Sequence, residues 1–416
     1  MTSPRELSRW YQLREHAGQR RLWTSPARFR VVPAGRRSGK SELAKRFGVS
    51  RAVGPQLWPD ARYIYTAPTY QQARRIFWND IKRMIPNWAL AGQNPRTAIR
   101  ESDLSIRLHN GAEILVSGLD VPERIEGVAV DWICVDEIGN CHAEVWGEHI
   151  RPMLSERNGS AWLIGVPEGR NHYWMMSQKA QEDASGLWSF HTWTSATVLP
   201  PEEIEIARAE LDRRTFEQEY CASFLDSTGR VYYSFQREVH AAEPLSYDPK
   251  LPLVLCFDFN VAPGVCAVIQ EFPTYRGSNP AVDVTKSVTC VIDEVFCPTD
   301  SSTARISREI ISRYGNHLGD VLCYGDASGG ARHTSQVEGS DWSIVEKLLR
   351  PVFGRPRTRP GDGDFEIRVP NANPRERVRI NAVNSRLQSA DGKVHLLVDP
   401  RAVHVVQDFE GVTYRA

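Results

Sequence analysis

Short apolar runs recur along the chain, each closed by polar or small residues, and between them lie stretches whose apolar positions fall at helical spacing. Residues 4–20 read as a short polar helix. Phe29 to Val32 reads as a strand, followed by a turn rich in Gly and Arg and a helix from about Lys40 to Val49. RYIYTA (62–67) is a second strand. In TYQQARRIFWNDIKRMI (69–85), Ala73, Ile76, Phe77, Ile81 and Ile85 lie near helical spacing and predict a helix. Short strands are expected at 104–108 and 112–117; WICVDE (132–137) and WLIGVP (162–167) read as buried strands, and 196–225 as a helical end to this unit. Strands alternating with helices predict a mostly parallel sheet covered by helices. Trp58, Tyr63, Tyr65, Tyr70 and Trp78 are expected to pack its core.

The pattern changes in the second half. A connecting stretch, 226–250, carries Gly229, Pro244 and Pro249. LVLCFDF (253–259), GVCAVIQEF (264–272) and VTCVIDEVF (288–296) then follow one another through short loops, which predicts a meander. A helix is expected over 302–314, with Ile306, Ile310, Ile311 and Tyr314 on one face, then a strand at VLCYGDAS (321–328) and an exposed loop at RPRTRPGDGD (355–364). The expected division is a first domain over 1–225, a linker over 226–250 and a second domain over 251–416.

Composition narrows this picture only slightly. The 416 residues include 25% charged and 41% hydrophobic, an ordinary globular balance. Lys plus Arg equals Asp plus Glu at 51 each, so any contact with nucleic acid must come from local patches and not from overall charge. The eight cysteines include no C-x-x-C pair, and several sit in apolar runs, so reduced buried thiols are expected and a structural zinc site is not. No apolar run approaches the ~20 residues of a membrane helix. The N-terminus lacks the apolar core of a signal peptide, so a soluble intracellular protein is expected.

The most specific local pattern is Ala34-Gly35-Arg36-Arg37-Ser38-Gly39-Lys40-Ser41, set between a strand and a helix. That is the context of a phosphate-binding loop. Small residues let backbone N–H groups approach phosphates, and the helix N-terminus adds positive potential. Lys40 would reach the β- and γ-phosphates and the Ser41 hydroxyl would bind Mg²⁺. Ala34 stands where the pattern has its first glycine. The partner pattern is DWICVDE (131–137). A buried strand ending in two carboxylates would place Asp136 near the metal, with Glu137 orienting or deprotonating the attacking water. Lys40 and Glu137 are thus expected to face one triphosphate from neighbouring strand ends.

In the second half, two strands carry an acidic residue after an apolar run: Asp258 in LCFDFN and Asp326 in LCYGDASG. A carboxylate inside an apolar strand is costly unless paired or bound to metal. If the two strands were adjacent, both carboxylates would serve one Mg²⁺ or Mn²⁺ cluster that activates water against a phosphodiester. The alternative is that Asp258 begins a turn and Asp326 caps a loop. Asp293 and Glu294 end the third strand of the meander and could be outer ligands, but a surface position is expected for both. Arg355, Arg357, Arg359, Arg368, Arg375, Arg377 and Arg379 crowd a short region and would neutralise phosphates, or else form solvated loops.

Taken in order, AGRRSGKS, TAPTYQQARRIFW, ERIEGVAVDWICVDEIGN, GVPEGRNHYW (165–174) and FEQEYCASF (216–224) resemble the large terminase subunits of tailed bacteriophages, and the resemblance covers nearly the whole chain. GVPEGRNHYW is similar to that family's coupling segment, with Val166 where the family has Thr. The resemblance implies an α/β protein: a P-loop NTPase unit with an ASCE-type parallel sheet, then a ribonuclease H-like nuclease unit. It implies ATP hydrolysis driving double-stranded DNA into a procapsid, Mg²⁺ at the ATPase site, and Mg²⁺ or Mn²⁺ at a nuclease that cuts concatemers. It also implies a ring on a portal protein, a small terminase subunit as partner, and the cytoplasm of an infected bacterium as location. Arg36 or Arg37 would be a phosphate-sensing arginine, and Arg124 would stabilise charge or serve a neighbouring subunit's site. Gly165, Gly169 and Asn171 would couple hydrolysis to movement. The family's nucleases carry a further Asp near the C-terminus, and VHVVQDFEGVTYRA resembles the segment preceding it. A truncated chain or an incomplete nuclease is therefore expected; Asp408 could substitute for the late Asp, though a surface place on a helix is the expected one. The alternative is an ATP-driven translocase or helicase whose second domain is not catalytic.

Overall fold

The computed structural model describes residues 15–225, 229–259, 263–275, 277, 279–299, 302–327, 340–354 and 364–414. The chain forms two compact units. One comprises Met1–Glu205 with Phe216–Ser227, the other Ile206–Thr215 with Thr228–Ala416.

The first unit is built on eight strands: β1 (Phe29–Pro33), β2 (Arg62–Ala67), β3 (Ile99–Arg100), β4 (Ser105–Arg107), β5 (Glu113–Gly118), β6 (Trp132–Asp136), β7 (Ser160–Gly165) and β8 (Trp188–Phe190). Their order is β3-β4-β5-β2-β6-β7-β1-β8. From β5 to β8 every neighbouring pair is parallel, and β3 and β4 add an antiparallel edge. Strands covered on both faces read as continuous apolar runs. Accordingly, all five positions of β1 and of β6 are buried. Val32, Tyr65, Trp132 and Trp162 pack with Phe47 of the helix Lys40–Val53 on one face. Phe29, Ile133, Val135 and Leu163 pack with Ile138, Val145 and Tyr173 on the other.

This is the α/β, parallel-sheet class expected, with one correction. β7 lies between β1 and β6, so the phosphate loop and Asp136 do not leave neighbouring strands. Smaller differences have local causes. The N-terminal helix runs Ala17–Thr24, and residues 4–14 of the expected helix lie outside the described residues. The helical run Tyr70–Met84 contains a π-turn at Arg74–Trp78, a one-residue insertion that spacing alone does not reveal. Tyr63, Tyr65 and Trp78 are buried, but Trp58 is 44% exposed, its ring under the Arg157 guanidinium at 5.3 Å.

The second unit's sheet contains β9 (Leu253–Asp258), β10 (Gly264–Phe272), β11 (Val288–Cys297), β12 (Val321–Gly325), β13 (Phe365–Ile367) and β14 (Leu396–Val398), in the order β13-β12-β9-β10-β11-β14. β9, β10 and β11 form the antiparallel meander, while β12 joins the other side of β9 in parallel. A bulge leaves Ile292 as the extra residue: Val268 pairs with Asp293 but Ile269 with Val291. Residues 229–250 are not a free connector. His240 bonds the Leu387 carbonyl through Nε2 at 2.9 Å, and Phe235 stacks on Phe409 within the second unit's smaller core. Asp212, from the segment Ile206–Thr215, is also buried in this unit and bonds the Tyr233 hydroxyl. The eight cysteines are all free thiols. Among the described residues, no helix is long and apolar enough to cross a membrane.

Candidate functional site

β1 delivers the chain into the loop 34–39, and the helix Lys40–Val53 begins where it ends. Gly39 caps that helix at φ 84°, in the left-handed region that glycine enters without strain. Gly35 is needed for a different reason: a Cβ there would lie 2.5 Å from Ser195 N and Oγ. The loop is held from several sides. The Gly35 and Arg36 N–H groups donate to the Trp193 and Glu219 carbonyls, at 3.0 and 2.6 Å. Ser195 Oγ donates to the Arg36 carbonyl at 2.7 Å, and Trp193 Nε1 to the Ser38 carbonyl at 3.0 Å. The first N–H groups of the helix, starting at Lys40, have no partners within it and can receive phosphate oxygens.

Lys40 is buried. Its Nζ lies 3.5 Å from the Ala34 and Gly35 carbonyls and 4.0 Å from Glu137 Oε1. Ser41 Oγ donates to Asp136 Oδ2 at 2.6 Å, and Asp136 Oδ1 accepts the Glu137 N–H at 3.0 Å. The lysine and the two carboxylates therefore meet despite the intervening β7. The reach of the lysine and a left-handed turn at Glu137 (φ 52°) close the gap. A non-glycine residue held there is strained backbone of the kind that clusters at functional sites. Burial pushes both carboxyls above their usual range, with Lys40 pulling each back; Asp136 adds repulsion on Glu137. Hard oxygen donors, Ser41 and Asp136, in contact beside a lysine suit Mg²⁺ with a triphosphate.

The stretch after β7 is tied to the same place. The Val166 N–H donates to Glu137 Oε2 at 3.2 Å, so that contact needs no side-chain hydroxyl and survives the change from Thr. Asn171 caps the helix His172–Glu182, accepting from the Tyr173 N–H at 2.9 Å, while its Nδ2 donates to the Gly139 carbonyl at 2.9 Å. The Gly169 N–H donates to Gln218 at 3.4 Å. Gly165 lies against Glu137, which a Cβ would approach to 3.2 Å from its Cα.

The arginines are placed less centrally. Arg36 Nε donates to Glu219 Oε2 at 2.6 Å. Arg37 is exposed with φ 57°. Arg124, on the turn after β5, is exposed with its guanidinium 6.0 Å from the Tyr70 ring centre. Sequence reasoning missed Glu219, Ser195 and Trp193. It also missed Gln19, whose Nε2 would lie 2.8 Å from a Cβ on Gly39. Gln19 is 3% exposed, and its Oε1 has no hydrogen-bond partner among the described residues. A buried amide oxygen left without a donor was the signal, and it exists only in three dimensions.

In the second unit, β12 and β9 pair in register from Val321–Leu253 to Gly325–Phe257. Asp326 and Asp258 are the next residues on each, so the two carboxylates leave neighbouring parallel strands at matching positions on one face. Asp258 is exposed at its strand end, so the cost of burying a carboxylate does not apply to it. Asp293 accepts from Tyr314 Oη and Arg313 Nη1, both at 2.9 Å. Glu294, expected on the surface, is 8% exposed. Its carboxylate accepts the His404 and Val405 N–H groups at the start of the helix Val403–Gly411, where the helix dipole favours negative charge. Asp408 sits exposed on that helix. Partial desolvation pushes its carboxyl upward, with repulsion from Glu294 and Asp258 adding to it. Among the described residues, no three His, Cys, Asp or Glu side chains gather as a metal site. Arg368 pairs with Glu366, Arg375 precedes the helix Glu376–Leu387, and residues 371–379 are all exposed, Arg377 and Arg379 included. Arg355, Arg357 and Arg359 lie outside the described residues.

A family model described as terminase large subunit, T4-like-virus type, N-terminal, matches residues 32–239. The chain is 27% identical over 248 residues to a large terminase subunit of Thermus phage G20c, covering 52% of this chain and 50% of that protein. It is 26% identical over 220 residues to one of Escherichia phage T5, covering 52% and 48%. The chain thus spans about half the length of the curated relatives it matches. The fold also resembles the large terminase of thermophilic bacteriophage D6E, with a TM-score of 0.56 at 12% identity over 96% of this chain and 91% of that one.

Proposed function

Because the chain belongs to the large terminase subunit family of the T4-like-virus type, we propose that its first unit hydrolyses ATP to drive double-stranded viral DNA into a procapsid. The observation that carries this is the meeting of Lys40, Glu137 and the Ser41–Asp136 pair at one sheet edge. Lys40 and the helix N-terminus neutralise the triphosphate's charge. Glu137 receives the attacking water's proton and is oriented for that by the Val166 N–H. Ser41 and Asp136 would hold Mg²⁺, which when bound withdraws charge from the phosphate oxygens. The D6E large terminase has been solved with ATP-γ-S. Gln19 is assigned to the base: a glutamine amide pairs with the N6 and N7 edge of adenine, and its buried oxygen lacks any other partner among the described residues.

The second unit is assigned a ribonuclease H-like nuclease role. The matching positions of Asp258 and Asp326 support it, as does the meander, helix and strand order. Carboxylate oxygens fit Mg²⁺ or Mn²⁺, which supplies an activated water when bound. Arg368, Arg375, Arg377 and Arg379 would contact DNA phosphates. The portal protein, the small terminase subunit, a ring assembly and action in the infected cell's cytoplasm are proposed from family membership.

A second reading, a translocase whose second unit does not cut, is favoured by one observation: two carboxylates and no third ligand among the described residues. Mn²⁺-dependent cleavage of plasmid DNA by the wild type, Asp258→Ala and Asp326→Ala decides between them. The nuclease reading predicts cleavage that both substitutions abolish; cleavage unchanged by them, or absent from the wild type, favours the second reading.

A further inference from the structure

The backbone immediately after β12 is held in an unusual way. The strand ladder with β9 ends at Gly325, so the next peptide unit, joining Asp326 to Ala327, has no ladder to fix it. Two side chains from separate elements hold it instead. Trp342 Nε1 donates to the Asp326 carbonyl at 3.0 Å, and Asn373 Oδ1 accepts the Ala327 N–H at 3.0 Å. Carbonyl and N–H belong to the same rigid plane, so that plane is gripped at both ends.

Each clamp is itself fixed. Trp342 lies in the first turn of the helix Asp341–Phe353, buried edge-on to Phe259 and Phe257, at 4.7 and 5.9 Å between ring centres. The indole sits so close to the strand that a Cβ on Gly325 would come within 2.9 Å of it. Asn373 precedes Pro374, which restricts its backbone to extended conformations. Holding one peptide plane fixes ψ of Asp326 and φ of Ala327, and with them the direction in which the Asp326 side chain leaves the backbone.

We propose that Asn373 and Trp342 are positioning residues that hold the Asp326 carboxylate beside Asp258 for a divalent cation. The inference rests on the nuclease reading of this unit. Groups that orient a ligand from behind typically change metal affinity by about 10- to 100-fold when removed. Asn373 is exposed, so its loss spares the core; Trp342→Phe keeps a ring and removes only the N–H donor.

The test uses the full chain. Mn²⁺ binding is followed by the electron paramagnetic resonance of free Mn²⁺, with Asp326→Ala giving the background from other sites. Asn373→Ala is expected to weaken the Asp326-dependent binding by about 10-fold without lowering the melting temperature. Trp342→Phe should weaken it similarly. Asn373→Asp, which keeps an acceptor oxygen, should restore it, whereas Asn371→Asp placed in the Asn373→Ala background adds the same charge nearby and should not. Wild-type binding by Asn373→Ala, set against clear loss in Asp326→Ala, would overturn the positioning role alone. No loss in Asp326→Ala itself would overturn the nuclease reading and this inference with it.

Discussion

Ser41 donates its hydroxyl hydrogen to Asp136 across 2.6 Å, although 95 residues of sequence separate them. One residue lies in the first turn of the helix after β1 and the other closes β6, and β7 lies between those strands. The contact brings the phosphate loop and the carboxylate strand together at one point. Asp136 is 1% exposed, so its charge depends on what meets it there.

Replacing Ser41 with Ala removes that donor along with a proposed Mg²⁺ ligand. The Mg²⁺ concentration giving half-maximal phosphate release should rise by about 10- to 100-fold. Steady-state phosphate release titrated with Mg²⁺ checks this. An unchanged Mg²⁺ requirement would mean that Ser41 and Asp136 do not share the ion.

The two carboxyls also set a pH dependence. Burial raises both in the folded protein, so the folded state holds their protons more tightly than the unfolded chain does. Stability from this source is present at low pH. It is lost as pH rises from the ordinary carboxylate value of about 4 through the raised folded values. Asp136→Asn with Glu137→Gln has no such protons to lose. Without nucleotide, the variant's melting temperature should gain on the wild type's between about pH 4 and about pH 7; a constant difference over that range contradicts the account.

Arg36 is engaged by Glu219 through a side chain that is 60% exposed, so the pair adds under about 1 kcal/mol to stability. Its consequence is functional: a guanidinium bound to Glu219 is withheld from a triphosphate. Glu219→Gln should lower KM for ATP while leaving the melting temperature within a few degrees. Steady-state kinetics at matched Mg²⁺ measures it, and an unaltered KM would remove Glu219 from nucleotide binding.

Gln19 supplies a test of base recognition. A bidentate amide contact to adenine discriminates by about 1–3 kcal/mol, so Gln19→Ala should cut the preference for ATP over GTP in kcat/KM by about 5- to 150-fold. Equal preference in variant and wild type would show that the amide does not read the base.

What could be read from the sequence was whatever is local. The phosphate loop, its flanking strand and helix, and the carboxylates ending β6 are each contained in a few consecutive residues, so spacing alone exposed them. Pairing between distant segments was hidden. Nothing near Asp136 says that β7 inserts beside β6, and nothing near Arg36 points to Glu219, 183 residues away. Asp258 and Asp326 were legible as residues ending apolar runs, but their matching register depends on the β9–β12 pairing. Glu294 was misplaced at the surface because a helix N-terminus far along the chain makes its burial favourable. Residues 229–250 looked like a linker from their Gly and Pro content, yet His240 and Phe235 bury there against later segments.

The central claim is that Lys40 and Glu137 serve one triphosphate. Nucleotide binding and phosphate release measured side by side on Lys40→Ala and Glu137→Gln test it most directly. Lys40→Ala should lose ATP binding. Glu137→Gln should bind ATP as the wild type does while its phosphate release falls by at least about 100-fold. Wild-type phosphate release by either variant would contradict it.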